Sequence, residues 1–161
     1  MKSWSSIDKS EWNLRGEWDN EPDKVHWIDD KTGLDCLIVR QIGHGALCGY
    51  VGVPESHPLF EKNYDEAESE VGYFDVHGGL TFADRCHHTA NPERSICHDR
   101  DIAANTVVWW LGFDCAHGGD ICPAYYGNIK FNRDNDTYKT IEFVRSQVEG
   151  LASQIKEVVS L

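Results

Sequence analysis

The most regular hydrophobic pattern lies at the C-terminal end of the chain. Apolar residues recur there at spacings of three and four from Tyr138 to Val158, which is the period of one face of an α-helix. Asp136 precedes the pattern and belongs to the residue types that cap helix N-termini. We therefore predict an amphipathic helix over residues 137–159.

Shorter apolar runs earlier in the chain predict β-strands. Residues 25–41 contain two runs on either side of the turn-forming residues 29–33, a composition typical of a hairpin. A third strand is expected at 46–54. Residues 72–82 predict a strand interrupted at Gly78 and Gly79. Residues 105–114 are nearly all apolar, which is typical of a central strand covered on both faces.

Together these elements predict an α+β fold. The expected arrangement is an antiparallel sheet of about five strands with the long C-terminal amphipathic helix packed on one face. A chain of 161 residues has the size of one domain, so we expect a single domain over residues 1–161. Within it, residues 1–24 form a tryptophan-rich N-terminal arm and residues 84–104 a polar excursion.

Charge and hydropathy exclude two classes of partner. The net charge is -12, and no dense run of Lys and Arg offsets it, so duplex nucleic acid is not an expected partner. No apolar stretch approaches the roughly 20 residues that cross a bilayer, and residues 1–13 lack the apolar region of a secretory signal. The sequence therefore predicts a cytoplasmic protein without a membrane partner.

Two His-Gly-Gly triplets are the main candidate for a functional site. They occupy residues 77–79 and 117–119, and each follows a predicted strand. If these strands are neighbours, two imidazoles and four flexible backbone positions surround one cleft. Thr81 adds a hydroxyl group, and Asp114 and Asp120 flank the second triplet. The structural alternative is a pair of turns whose aspartates bind turn amides.

Cysteine chemistry offers two weaker candidates. Cys86 and Cys97, with His98 or His88, would close the polar excursion as a zinc clip, and unliganded thiols are the alternative. A nucleophilic Cys115 paired with His117 is disfavoured, because burial in an apolar strand opposes formation of the thiolate.

Aromatic residues on the predicted strands offer stacking surfaces. Trp109 and Trp110 are adjacent and therefore point to opposite faces of the sheet. One of them is expected in the core. Trp109 or Tyr50 could stack on a nucleobase, and the alternative is that both tryptophans are buried.

Three segments resemble a family of small proteins from bacteria and tailed phages whose activity is not established. The segments are 48–58, 76–82 and 109–120, and with the C-terminal helix they extend the resemblance over about residues 45–155. Its most specific part is the Gly-Phe-Asp-Cys-Ala-His sequence at 112–117. The resemblance implies a cytosolic setting, in which binding or degradation of host nucleotide signals is a known role of small phage proteins.

These observations give three hypotheses of function. The first is binding, or sequestration, of a small anionic nucleotide-like ligand. The residues assigned to it are His77, Gly78, Gly79, Thr81, Tyr50, Trp109, Asp114, His117, Gly118, Gly119 and Asp120. The second is a phosphodiesterase-like hydrolase that uses His77 and His117 as acid and base, with Asp114 and with or without a metal. The third is a protein-interaction module whose arm binds a partner or forms a homodimer.

Overall fold

The apolar runs of the sequence form the strands of one antiparallel sheet. The computed structural model describes residues 1–86, 91–97, 107–126 and 134–159. Its strands are β1 (Lys2–Trp4), β2 (Lys24–Ile28), β3 (Asp35–Arg40), β4 (Leu47–Pro54), β5 (Phe82–Arg85) and β6 (Val108–Asp114). Their order across the sheet is β1-β2-β3-β4-β6-β5, and every neighbouring pair is antiparallel.

The described helices lie between and after these strands. They are α1 (Tyr64–Val71), α2 (Pro123–Tyr126) and α3 (Ile141–Glu157), with short 3-10 turns at Glu17–Asn20 and Pro92–Arg94. The long helix α3 packs against β3 and β4 on one face of the sheet. The predicted α+β fold with a C-terminal helix on the sheet is therefore confirmed. No helix in the described ranges is long and apolar enough to span a bilayer.

Both faces of the sheet are buried, by different parts of the chain. On one face α3 contributes five buried residues, namely Val144, Val148, Leu151, Ala152 and Ile155. The other face carries a smaller cluster built from Leu37, Val39, Cys48, Tyr50, Val108 and Trp110. Ile96 and Phe82 pack against this second cluster. The prediction that the strand at 105–114 is covered on both faces is confirmed for β6, which lies between β4 and β5.

The start of α3 differs from the prediction. The helix begins at Ile141 and its N-cap is Thr140, whose hydroxyl accepts a hydrogen bond from the Phe143 amide at 3.3 Å. The predicted Asp136 cap and the start at residue 137 are therefore wrong. The apolar spacing continued upstream of the helix because Tyr138 is partly buried for another reason, namely its contacts with the N-terminal arm.

The predicted strand over residues 72–82 is also wrong. Residues 72–81 form turns and irregular backbone, and β5 begins at Phe82. Gly78 and Gly79 have φ angles of 69° and 76°, which lie in the left-handed region and are incompatible with an extended strand. Phe74, Val76 and Leu80 are nevertheless buried in the core. Their burial explains the apolar pattern without a strand.

A buried polar network attaches the N-terminal arm to the sheet. The Arg40 side chain has no exposed surface; its Nε donates to Asp23 at 2.9 Å, and its Nη1 donates to the Tyr138 hydroxyl at 2.8 Å. Tyr138 donates in turn to Glu21 at 2.6 Å. The second Glu21 oxygen accepts the Ile141 amide at 2.6 Å. The network therefore joins the arm, β3 and the beginning of α3.

Candidate functional site

The structure brings the two His-Gly-Gly triplets together. The ring centroids of His77 and His117 lie 5.8 Å apart in an edge-to-face arrangement. His117 follows the end of β6 by three residues, and His77 lies in the irregular segment before β5. The predicted adjacency of the two imidazoles is therefore present. The sequence predicts that each triplet follows a strand. In the structure both triplets form turns, and only the second one comes after a strand, β6.

Helix α3 positions His77. The His77 amide donates to Gln147 Oε1 at 2.8 Å, and its imidazole lies edge-on to the Phe143 ring at 5.4 Å. Both contacts come from the same face of α3, since Phe143 and Gln147 are four residues apart. The helix therefore fixes both the backbone and the ring of His77.

Asp120 is the buried carboxylate of the site. Its Oδ2 lies 2.8 Å from His77 Nε2 and accepts the His117 amide at 3.1 Å, while its Oδ1 lies 3.0 Å from Lys139 Nζ. Its side chain is 2% exposed. Burial opposes ionisation, but the hydrogen bonds from His77, Lys139 and the His117 amide outweigh it and hold the pKa of Asp120 below its usual range. Asp120 is thus an ionised acceptor.

This arrangement assigns the proton on His77. A carboxylate is only an acceptor, so His77 Nε2 must carry the hydrogen of the 2.8 Å bond. In the neutral imidazole the other nitrogen, Nδ1, then has the free lone pair. The His77 side chain is 22% exposed. We infer that Nδ1 is the nitrogen available for proton transfer.

His117 is paired with a different carboxylate. Its Nε2 lies 3.3 Å from Asp114 Oδ1, and both side chains are about one third exposed. The distance is that of an ion pair, but the alignment is poor, and the buried Nε2 has no hydrogen-bond partner among the described residues. Asp114 itself is held by the Thr81 hydroxyl at 3.1 Å and the Ala116 amide at 2.9 Å. Asp114 and Thr81 therefore lie together at His117.

Gly78 allows the two triplets to approach each other. Its φ angle is 69°, and a Cβ at this position would lie 2.2 Å from His117 Nε2. In contrast, a Cβ at Gly79, Gly118 or Gly119 would meet no atom within 4 Å. The backbone of these three glycines therefore borders open space beside the imidazoles.

The two predicted stacking residues lie elsewhere. Tyr50 is buried on the sheet face opposite α3, where its ring packs edge-on against Phe82 at 5.3 Å. Trp109 lies near the start of β6 and donates from Nε1 to the Lys62 carbonyl at 2.8 Å. Asp114 lies five positions further along the same extended strand, roughly 17 Å away. Neither ring therefore stacks at the histidine pair. The prediction was wrong because the sequence does not show which end or face of the sheet each ring occupies.

The predicted zinc clip is replaced by a disulfide. Cys86 and Cys97 are bonded to each other, so neither sulfur is available as a thiolate ligand for zinc. His88 and His98 lie outside the described residues. Among the residues that are described, no group of three or more His, Cys, Asp or Glu side chains could hold a metal ion. The disulfide closes residues 86–97, and residues 98–104 of the predicted excursion lie outside the described residues.

Cys115 is not a nucleophile in this geometry. The thiol is buried beneath the site, and burial together with the nearby Asp120 raises its pKa well above the ordinary value. The thiolate is therefore disfavoured, which agrees with the expectation from the apolar strand around it.

Sequence reasoning missed three residues that support the site. They are Lys139, Phe143 and Gln147, which contact Asp120 or His77. A signal was present for Phe143 and Gln147, which are four residues apart and so share one side of α3, whereas Lys139 precedes the helix, which begins at Ile141. What the sequence did not show is that this side faces the histidines.

Comparisons of the chain with protein-family models, curated proteins and solved structures find no match. The resemblance to the bacterial and phage family therefore stays a prediction, and the site is interpreted from its own geometry.

Proposed function

We propose that the chain is a phosphodiesterase-like hydrolase of small nucleotides, with His77 as the base and His117 as the acid. The observation that carries this proposal is the pair of imidazoles 5.8 Å apart, each with its own carboxylate. Phosphodiester cleavage needs one group that accepts a proton and one that donates a proton at the same centre. Two imidazoles in opposite protonation states meet this need near neutral pH.

The proposed step balances its protons within the site. Nδ1 of neutral His77 takes a proton from water as the water oxygen attacks phosphorus. Ionised Asp120 stabilises the imidazolium that forms, because it already accepts the Nε2 hydrogen. Protonated His117 gives its proton to the leaving oxygen as the phosphorus–oxygen bond breaks. Proton exchange with solvent then restores both rings.

Local charge favours turnover over permanent storage of an anion. Asp114 and Asp120 contribute two negative charges, and Lys139 contributes one positive charge. With one imidazole protonated, the five groups sum to zero. A storage site for an anion would be expected to hold a net positive charge. A neutral site with one mobile proton suits an acid and base pair.

Sequestration without turnover is the second candidate. It is supported by the open space beside Gly118 and Gly119, where backbone amides could approach a phosphate; the Gly79 amide already donates to the Val76 carbonyl at 2.9 Å. In this case His77 and His117 would hold the ligand and not move its protons. The same residues serve both candidates, so a direct assay must separate them.

The interaction-module hypothesis receives less support. Trp18 of the arm is buried in the chain's own fold and packs edge-on against Tyr138 at 5.0 Å. Asp23, at the end of the arm, bonds Arg40 inside the same molecule. The arm is thus used for intramolecular packing, and a homodimer through it stays a prediction.

The cytoplasmic setting is also part of the proposal. Four cysteines are free and buried, as expected in a reducing compartment, but the Cys86–Cys97 disulfide is of a kind that persists mainly in oxidising compartments. Alkylation of thiols during cell lysis would show whether Cys86 and Cys97 are reduced or bonded in the cell, and so distinguish a reducing from an oxidising compartment. A pair found reduced supports the cytoplasm, and a pair found oxidised contradicts it.

The function is tested with a panel of linear and cyclic nucleotides and bis(4-nitrophenyl) phosphate. We expect the parent chain to form product, and the His77→Ala and His117→Ala variants each to lose on the order of 10² to 10⁴ in rate. Circular dichroism checks that each variant folds. Intact nucleotide released on heat denaturation would support sequestration. If the chain formed no product and released no bound nucleotide, both candidates would be contradicted.

Substitution of Gly78 tests the packing of His117. In Gly78→Ala the new methyl group occupies the position of the His117 ring, so we expect the rate to fall by at least about tenfold, since small displacements of catalytic groups are costly. Gly33→Ala is the matched control. Gly33 has a φ of 73° but open space around it, so it incurs the same backbone strain of about 1–2 kcal/mol without moving an imidazole. Equal rates in the two variants would contradict the role of Gly78.

A further inference from the structure

A second site lies on the sheet face opposite α3. A cavity of about 230 Å³ opens there between the sheet and residues 94–96. Its walls are mostly apolar and include Val39, Tyr50 and Ile96. These side chains belong to the buried cluster of this face or pack against it. The cavity does not include His77 or His117.

The wall formed by residues 91–97 is held in place by the sheet. Lys24 Nζ donates to the Pro92 carbonyl at 2.8 Å and to the Cys97 carbonyl at 2.9 Å. The Cys86–Cys97 disulfide ties the same segment to the end of β5. Ser95 is buried, and its hydroxyl donates to the Pro92 carbonyl at 2.9 Å. The two Lys24 hydrogen bonds hold this segment whether or not the two cysteines are bonded, so the cavity is defined by the fold.

Arg94 places a guanidinium in this wall. Its Nη2 donates to the Ser6 carbonyl at 3.0 Å, and its Nε is buried without a hydrogen-bond partner. Among the described residues it has no carboxylate partner, although the chain carries a net charge of -12. An unpaired guanidinium beside apolar surface is costly to bury and favours an anion.

From these features we propose that the cavity binds a small organic carboxylate with an apolar body. The apolar part would contact Val39, Tyr50 and Ile96, and the carboxylate would pair with the Arg94 guanidinium. The other arginine that lines the cavity, Arg40, has its guanidinium engaged by Asp23 and Tyr138. One cation that lacks a carboxylate partner among the described residues matches a monoanion, whereas a phosphate dianion would need more positive charge.

The volume limits the size of the ligand. A cavity of about 230 Å³ is below the roughly 300 Å³ at the lower end of common ligand pockets. The occupant is therefore smaller than a nucleotide, with about ten non-hydrogen atoms or fewer. At the binding efficiency usual for small ligands, we expect a dissociation constant on the order of 0.1–1 mM.

The test is an NMR titration with hexanoate and with hexanamide, its uncharged analogue of the same shape. We expect hexanoate to shift the amide signals of Arg94, Ile96 and Tyr50. In Arg94→Gln its dissociation constant should rise roughly tenfold or more, since a charge-assisted hydrogen bond is lost. Hexanamide should bind more weakly than hexanoate and be unaffected by this substitution. Arg145→Gln, which removes an exposed arginine paired with Glu149, should leave hexanoate binding unchanged.

A second variant tests the cavity without changing Arg94, in case the Arg94→Gln substitution disturbs folding. Ile42 lines the cavity and is 54% exposed, so Ile42→Trp should fold and narrow the entrance. We expect it to weaken both hexanoate and hexanamide. The proposal would be overturned by any of three results. Hexanoate causes no shift, hexanoate and hexanamide bind equally, or Arg94→Gln and Ile42→Trp both leave hexanoate binding unchanged. The outcome does not depend on the hydrolase activity proposed for the histidine pair.

Discussion

Arg40→Met is expected to lower the free energy of unfolding by about 3–5 kcal/mol, the usual cost of removing one partner from a buried ion pair. The Arg40 side chain is completely buried and contacts Asp23, Glu21 and Tyr138 together with the Gly45 carbonyl. Methionine fills a similar space but removes the guanidinium donors from this network, so that Asp23 keeps only Lys9 and the Ser6 and Ile7 amides. Urea denaturation of the parent and the variant measures the difference.

Arg85→Met is the matched control for this substitution. Arg85 also pairs with a carboxylate, Glu61, but both side chains are about half exposed. Exposed pairs of this kind contribute about 0–1 kcal/mol. If Arg40→Met cost no more than Arg85→Met, the buried network would not be what attaches the arm to the sheet.

The same network predicts a dependence of stability on pH. Burial alone would raise the pKa of Asp23, but hydrogen bonds from Lys9, the Ile7 amide and Arg40 hold it below the usual range. A carboxyl with a lowered folded-state pKa stabilises the fold above its unfolded pKa of about 3.9, and this contribution is lost as the pH falls through the lowered value. The penalty of Arg40→Met is therefore expected to shrink in acid.

Asp120→Asn is expected to reduce the hydrolytic rate by roughly 10²- to 10⁴-fold, as a comparable substitution does in the Ser-His-Asp triad. The carboxylate accepts from His77, Lys139 and the His117 amide, whereas an amide has one acceptor oxygen and one donor group. If the oxygen stays with Lys139, the NH₂ group faces His77 Nε2. The proton on His77 then moves to Nδ1, and the proposed base has no lone pair for the attacking water.

Nitrogen NMR of the imidazole distinguishes this mechanism from simple misfolding. We expect the His77 proton at Nε2 in the parent chain and at Nδ1 in Asp120→Asn. Asp30→Asn makes the same change of charge at an exposed turn position and should leave rate and tautomer unaltered. An active Asp120→Asn variant would show that Asp120 is a structural residue only.

The regular parts of the fold were predictable because burial imposed a period on the sequence. The hairpin of β2 and β3, the strand β6 and the body of α3 each have one face or both faces in the core. Strand β1 was missed since Lys2–Trp4 is a short edge strand with mainly exposed side chains, which leaves no apolar pattern. The segment at 72–81 was wrongly predicted as a strand for the opposite reason. Several of its side chains are buried in the core although its backbone is irregular.

The site was predictable in part. The repeated His-Gly-Gly sequence indicated that His77 and His117 belong together, and the spacing from Asp114 to His117 is local. The bond between His77 and Asp120 joins residues 43 positions apart, and its existence depends on how α3 presses the irregular segment against the end of β6. No local pattern encodes such a contact, nor the side of the sheet that Tyr50 occupies.

We propose that His77 and His117 act on one phosphodiester in opposite protonation states, and the pH profile of kcat/KM tests this proposal. We predict a bell-shaped profile for the parent chain with bis(4-nitrophenyl) phosphate. In His77→Ala the residual rate should no longer fall in acid, and in His117→Ala it should no longer fall in alkali. A bell that keeps both limbs in both variants would contradict the assignment of the two imidazoles.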